Sequence, residues 1–215
     1  MNLHSYGLEL DLPDIIEGCI VRCIPDDSPI PMVSKLEPTP YPIYVGNTTI
    51  YGSASPIRWR RCNMSDEEFI EMNINYFNEL KIGCVVCLEE QKNPLVEEAC
   101  RRIQCIYMHL PCKDYSIPKS LDGSVDGYAQ IVRQISLELQ KIDRVVLVHC
   151  AAGRGRTITL IRMIGALDGY DVNVCDQLRK WLHLSDTSEI PTMYEPFLTI
   201  EQDTAVLDVL FEHKK

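Results

Sequence analysis

Nowhere in these 215 residues is there an uninterrupted apolar run of the roughly 18 residues that a membrane span needs, so no transmembrane segment is expected. The opening stretch, MNLHSYGLELDLPDIIEG, has early acids and lacks the basic region and apolar core of a secretory leader. Reduced thiols and a cytoplasmic setting are therefore the expectation. Basic residues are scarce, with 21 Lys and Arg against 31 Asp and Glu and a net charge of −10. That deficit argues against nucleic acid or an anionic membrane as partner, and any negatively charged ligand must be drawn in by a local patch. A second pair of zinc ligands is missing too. The 10 cysteines include one C-x-x-C, Cys84 and Cys87, inside IGCVVCLEE, which reads as a strand. Residues three apart on a strand face opposite sides, so the pair is a poor metal site, and neither metal nor cofactor is expected. Internal repeats and low-complexity tracts are also absent.

What remains is the composition of an ordinary globular domain, 46% hydrophobic and 24% charged. Residues 1–40 are rich in Pro and Asp and read as an irregular N-terminal extension packed on a domain of residues 41–215. YPIYVGNTTIYGSASP suggests two short strands about a turn at Gly46 and Asn47. SDEEFIEMNINYFNELKIG is a helix opened by a Ser65/Glu68 capping box. CVVCLEE, QCIYMHLP and RVVLVHC read as strands. NPLVEEACRRI, with Pro94 in its first turn, VDGYAQIVRQISLELQKI, RTITLIRMIGALDGY, NVCDQLRKWLHL and EQDTAVLDVLFEHKK read as helices. Strands alternating with helices predict an α/β fold with a mostly parallel central sheet flanked by helices on both faces.

Ligands of such sheets sit beyond the carboxyl ends of the strands. VLVHCAAGRGRTITLIRMIG places Cys150 at such an end. The following loop, Ala151, Ala152, Gly153, Arg154 and Gly155, carries no large apolar side chain and can curl its N–H groups into an anion nest. The helix that starts near Arg156 adds its positive end. Arg156 returns to the mouth of the loop, where its planar fork can grip two oxygens of one phosphate. The same positive features favour a thiolate at Cys150. A Walker loop is excluded, because a cysteine fills the position of its first glycine.

HCAAGRGRT resembles the H-C-x(5)-R-[ST] signature of the cysteine-dependent protein tyrosine phosphatases, and most of all their small, atypical dual-specificity branch. YGSASP, GCVVCLEE, YMHLPCKDYSIP and TIEQDTAVLDVL fall in the order expected of that branch, over residues 42–215. Ile158 departs from the pattern, since many relatives have glycine after the threonine, and SDTSEIPTMYEPF is longer than the matching connection in compact relatives. The resemblance implies the fold of that family and a metal-independent phosphomonoester hydrolase acting through a phosphocysteine intermediate. Cys150 is then the nucleophile, residues 151–155 and Arg156 hold the phosphate, and His149 organises the loop. Thr157 donates a hydrogen bond to the Cys150 sulfur, Asp114 is the general acid, and Gln202 positions the hydrolytic water. For His149, a strand-end histidine bonded to backbone is an equal reading. For Gln202, on what reads as an exposed helix start, polar filler is another. Asp122 and Asp126 are fallback acids. Arg58, Arg60 and Arg61 form a basic cluster able to steer an anionic substrate, with Trp59 a steering or core residue. Cys87 and Cys112 lie near strand ends, as candidates to form a disulfide with Cys150.

A phosphorylated protein is the expected substrate. Arg154 supplies one extra cation beside the cradle, but Ala151 stands where inositol-phosphate enzymes of the superfamily carry a second. A phosphoinositide or inositol polyphosphate phosphatase is the alternative, and a phosphate-binding pseudophosphatase a further one.

Overall fold

The structure is a computed structural model that describes residues 40–60, 63–120, 123–191 and 194–213. The N-terminal extension therefore lies outside the described residues, apart from Pro40, and so do Arg61 and Asp122. The chain enters the sheet through a hairpin, β1 (Tyr41–Val45) paired antiparallel with β2 (Thr48–Ala54). Gly46 in the turn has φ +60°, a left-handed conformation that only glycine adopts without side-chain penalty.

Helices and strands then alternate: α1 (Asp66–Glu79), β3 (Ile82–Cys87), α2 (Pro94–Arg102), β4 (Ile106–His109), α3 (Gly127–Gln140), β5 (Val145–Cys150) and α4 (Arg156–Leu167), followed by α5 (Val174–Leu182) and α6 (Ile200–His213). The Ser65/Glu68 capping box closes the start of α1, and Asn93 caps α2 ahead of Pro94. Five strands form one sheet in the order β1-β2-β5-β3-β4, with every pairing but β1–β2 parallel.

Alternation along the strands feeds two cores. Cys84, Val86, Val146, Val148 and Cys150 face the larger one, shared with residues of α3, α4, α5 and α6. Val85, Cys87 and Leu147 face the smaller one, under α1 and α2. Cys84 and Cys87 thus point to opposite sides, as their spacing predicts. Ile158, the departure from the resembled pattern, is fully buried in the larger core. Cutting such a residue back to alanine would cost on the order of 2–5 kcal/mol, and glycine in the helix about 1 kcal/mol more. Because β2, β5, β3 and β4 run parallel, their carboxyl ends lie along one edge, and Cys150 at the end of β5 lies on it.

Candidate active site

β5 ends on Cys150, which is 2% exposed, and residues 151–155 turn the chain into α4, whose first residue is Arg156. The turn hinges on Gly153, at φ +74°. A Cβ there would stand 2.5 Å from Ala54 N and from Ser53 C of β2, so no other residue fits. Gly153 N donates to Cys150 Sγ at 3.2 Å, and Ala151 O accepts from Ser55 N at 3.3 Å. From β1, the buried Tyr41 hydroxyl donates to Gly153 O. Burial holds the Tyr41 phenol well above its ordinary pKa, with Cys150 and Tyr194 adding to the shift, so it stays a neutral donor. The long connection before α6 supplies Tyr194, edge-on to Tyr41 at 6.1 Å and to Trp181 at 5.5 Å. Tyr194 thereby packs behind Tyr41, whose hydroxyl holds the loop.

Arg156 is only 4% exposed. Its Nη1 donates to Leu88 O at 3.2 Å and to Cys112 O at 2.7 Å, and its Nη2 lies 3.0 Å from Asp114 Oδ1. One guanidinium thus joins the ends of β3 and β4 to the loop after β5. Its Nε is buried without a hydrogen-bond partner. An orphaned arginine donor beside a helix start, whose first N–H groups have no intrahelical acceptor, is suited to an oxyanion. Asp114 is 60% exposed on its side chain and also accepts from Tyr115 N at 3.2 Å.

His149 is fully buried, with Nδ1 3.4 Å from Glu89 Oε1. Burial works against charge on this ring, but Cys87 and Glu89 outweigh it and raise the pKa to about 9. Its main-chain O accepts from Leu88 N at 2.9 Å, while neither ring nitrogen has a hydrogen-bond partner, so the ring is not bonded to backbone. Thr157 Oγ1 is buried with no hydrogen-bond partner. The bond to the Cys150 sulfur that the resemblance implies is not formed here, and Gly153 N occupies that role.

Gln202 corrects the sequence reading of an exposed helix start, being 1% exposed. Its Oε1 accepts from Thr199 N at 3.0 Å while Thr199 Oγ1 accepts from its N–H at 3.2 Å, a capping box for α6. Its Nε2 donates to Ser116 O at 2.8 Å, tying α6 to the Asp114 loop. Arg154 is similarly engaged. Its Nε donates to Glu195 O at 2.7 Å, its carbonyl accepts from Phe197 N at 3.2 Å, and its guanidinium lies 5.9 Å from the Phe197 ring centre. Phe197 in turn meets Tyr115 edge-on at 6.4 Å, and both rings are largely exposed at the mouth.

The fallback acid Asp126 is not brought to the cradle; it accepts from Ser124 Oγ at 2.6 Å at the start of α3. Of the basic cluster, Arg60 is engaged locally, pairing with Asp66 at 2.7 Å and donating to Met64 O at 2.8 Å. Trp59 packs on Tyr76 at 5.1 Å against the smaller core, which makes it an anchor. Sequence reasoning missed Tyr41 and Glu89, for which the strand patterns around them gave no local signal.

The chain is similar in sequence and in fold to known phosphatase domains. The family described as "PTP-SAK: Swiss Army Knife protein, DSP-PTPase phosphatase domain" matches residues 59–190. Among solved structures, the chain resembles kinase associated phosphatase with its catalytic-site cysteine replaced by serine, at TM-score 0.54 and 15% identity, covering 84% of this chain and 98% of that one. It also resembles PTPMT1 in complex with PI(5)P, at TM-score 0.50 and 13% identity, covering 80% of this chain and 96% of that one. At these identities the likeness is one of fold. A search of curated proteins finds no match.

Proposed function

Because the chain belongs to the DSP-PTPase phosphatase domain family, we propose that it is a metal-independent protein phosphatase of dual specificity. Its reaction runs through a phosphocysteine on Cys150. The observation that carries this reading is the convergence of Cys150, the orphaned Nε of Arg156 and the carboxylate of Asp114 at one sheet edge.

In the first step the Cys150 thiolate attacks phosphorus, a P–S bond forms, and the P–O bond to the leaving group breaks. Protonated Asp114 gives its proton to the departing oxygen. Residues 151–155, the start of α4 and Arg156 hold the equatorial oxygens, where a loose transition state spreads its charge. In the second step Asp114 takes a proton from water, the water oxygen attacks phosphorus, and the P–S bond breaks to release phosphate and restore the thiolate. Gln202 is the residue assigned to orient that water, and Thr157 to donate to the departing sulfur once the Cys150 side chain turns to it. His149 holds the loop from the far face of β5.

A phosphoprotein is favoured over an inositol phosphate because Arg154 is already bonded to Glu195 O and stacked near Phe197. It serves as a strut for the mouth, leaving one strong cation, Arg156, for one phosphate. The exposed Tyr115 and Phe197 rings give a peptide an apolar wall beside that phosphate. Seven cysteines among the described residues are free thiols, which supports a reducing, cytoplasmic setting. Among the described residues no helix is long and apolar enough to cross a membrane.

Hydrolysis of para-nitrophenyl phosphate in the presence of EDTA tests the reading. Activity is expected in the wild type and its loss in Cys150→Ser, with a drop of at least about 100-fold in Arg156→Lys, whose point charge lacks the bidentate fork. Oxyanion binding without turnover by the wild type would instead make the protein a phosphate reader.

A further inference from the structure

Behind the cradle, on the face of the sheet away from Cys150, lies a second cluster that the phosphatase chemistry does not consume. Cys87, at the end of β3, is the strand partner of His149 on β5, and both side chains are fully buried. Glu89 follows two residues later and brings its carboxylate to 3.4 Å from His149 Nδ1. One ligand atom from each of the three lies within 4.8 Å of the other two. Neither His149 ring nitrogen makes a hydrogen bond, although the ring is wholly excluded from solvent.

We propose that Cys87, Glu89 and His149 form a binding site for zinc, and that its occupancy inhibits the enzyme. Sulfur, imidazole and carboxylate are the three donors zinc takes most readily, at bond lengths of about 2.0–2.3 Å. Donors around such an ion stand about 3.5 Å apart, so the cluster needs only a small contraction. Glu89 makes that movement, because its side chain is 25% exposed while the other two are fixed on paired strands. The same carboxylate is the way in. The Tyr107 and Ser55 hydroxyls are buried with no hydrogen-bond partner, bear on Cys87 and Glu89 respectively, and are available to support those ligands. Binding requires thiolate, carboxylate and neutral imidazole, so zinc displaces the proton that the cluster otherwise shares, and binding weakens as pH falls. The Arg156 charge, felt at Glu89, opposes the ion and keeps the site below the affinity of a structural zinc centre.

The link to activity runs through Leu88, which sits between two of the ligands. Its carbonyl accepts from Arg156 Nη1, and its N–H donates to His149 O. Drawing Cys87 and Glu89 onto an ion displaces the backbone that aims the phosphate-holding arginine. The site itself is independent of the phosphatase reading, and the inhibition rests on it.

The test uses the full chain as Cys150→Ser, stripped with EDTA and kept reduced, so that zinc cannot be held by the nucleophile. Competition against a chromophoric chelator is expected to show one zinc per chain, and cobalt(II) to give a thiolate charge-transfer band. On that background Cys87→Ser is expected to abolish the band and weaken zinc by at least about tenfold. Glu89→Gln, which keeps the shape of a partly buried side chain, is expected to weaken zinc while melting as one cooperative unit. Unchanged zinc affinity in either variant would overturn the site. In the enzyme with Cys150 intact, Cys87→Ser is expected to raise the zinc concentration for half-inhibition by a similar factor. Zinc binding lost with Cys87 while inhibition stays the same would overturn the link to activity.

Discussion

Asp114 Oδ1 rests 3.0 Å from Arg156 Nη2, so the proposed acid occupies part of the fork that the phosphate must take. In the proposed mechanism, substrate binding exchanges a carboxylate for a phosphate on the same guanidinium and frees Asp114 to approach the leaving oxygen. Asp114→Ala is expected to lower kcat by roughly 100- to 10,000-fold for alkyl phosphate leaving groups and much less for nitrophenyl phosphate. The same variant is expected to bind vanadate or inorganic phosphate more tightly, because the competing carboxylate is gone. Equal loss on both substrate types, with unchanged oxyanion affinity, would give Asp114 a structural role instead.

Arg154→Ala addresses the substrate class. As a strut between residues 154 and 195–197, Arg154 is expected to matter about equally for a phosphotyrosine peptide and an inositol phosphate, with KM rising a few-fold for each. The measurement is kcat/KM over a matched panel of phosphopeptides, phosphoinositides and inositol polyphosphates. A selective loss of inositol turnover in the variant, from a wild type that prefers it ten-fold, would restore Arg154 as a second phosphate cation.

Oxidation separates the two cysteines that sequence alone could not. Cys87 faces the smaller core while Cys150 faces the larger, so no disulfide joins them. Cys112 is on the correct side. Burial pushes its thiol up to about 11 against the pull of Arg156, and Cys150 is near enough to add to the shift. Peroxide is expected to convert the Cys150 thiolate to a sulfenic acid, and the Cys112 thiol to condense with it, releasing water. Recovery of activity with dithiothreitol should then persist in Cys87→Ser and fail in Cys112→Ser, as measured after a mild peroxide pulse.

His149 makes stability depend on pH. Its folded pKa of about 9 lies above the ordinary value of 6.5, so this stabilisation is complete below about pH 6.5 and is lost as pH climbs through about 9. Glu89 acts at the other end, since its pKa is lowered and its contribution disappears only on acidification below the ordinary carboxylate range. In Glu89→Gln the His149 ring is expected to lose its proton at lower pH than in the wild type, as read by NMR titration of the ring. The fall in melting temperature between pH 7 and 9.5 should begin earlier as well.

Much of the site was legible because it is local. Cys150, the loop and Arg156 occupy seven consecutive positions, and strand-loop-helix patterning alone puts them at a sheet edge. Asp114 could be reached through topology, as the residue beyond a neighbouring parallel strand. The parts that escaped are joined by the fold across long stretches of chain. Gln202 meets Ser116 across 86 positions, and Tyr41 meets Gly153 across 112, and neither window of sequence carries a trace of the other. Arg154 was visible as a cation, but its commitment to Glu195 was not, because backbone acceptors leave no mark on a residue pattern. Glu89 carries no signal of its own in the sequence; the pairing of β3 with β5 is what places it beside His149.

Gly153 is wedged against β2 so closely that residues 150–155 have only one shape available once the sheet has formed. The entropy of aligning the loop N–H groups is therefore surrendered during folding, and a phosphate bound as proposed meets an arrangement that needs no further ordering. Asp114 and Tyr115 are differently placed, solvent-exposed and joined to the body chiefly through Arg156 and Gln202–Ser116. In the proposed mechanism the ordering left for turnover falls on the segment after β4, and cooling or viscous solvents are expected to act there while the cradle stays as stiff as the sheet it grows from.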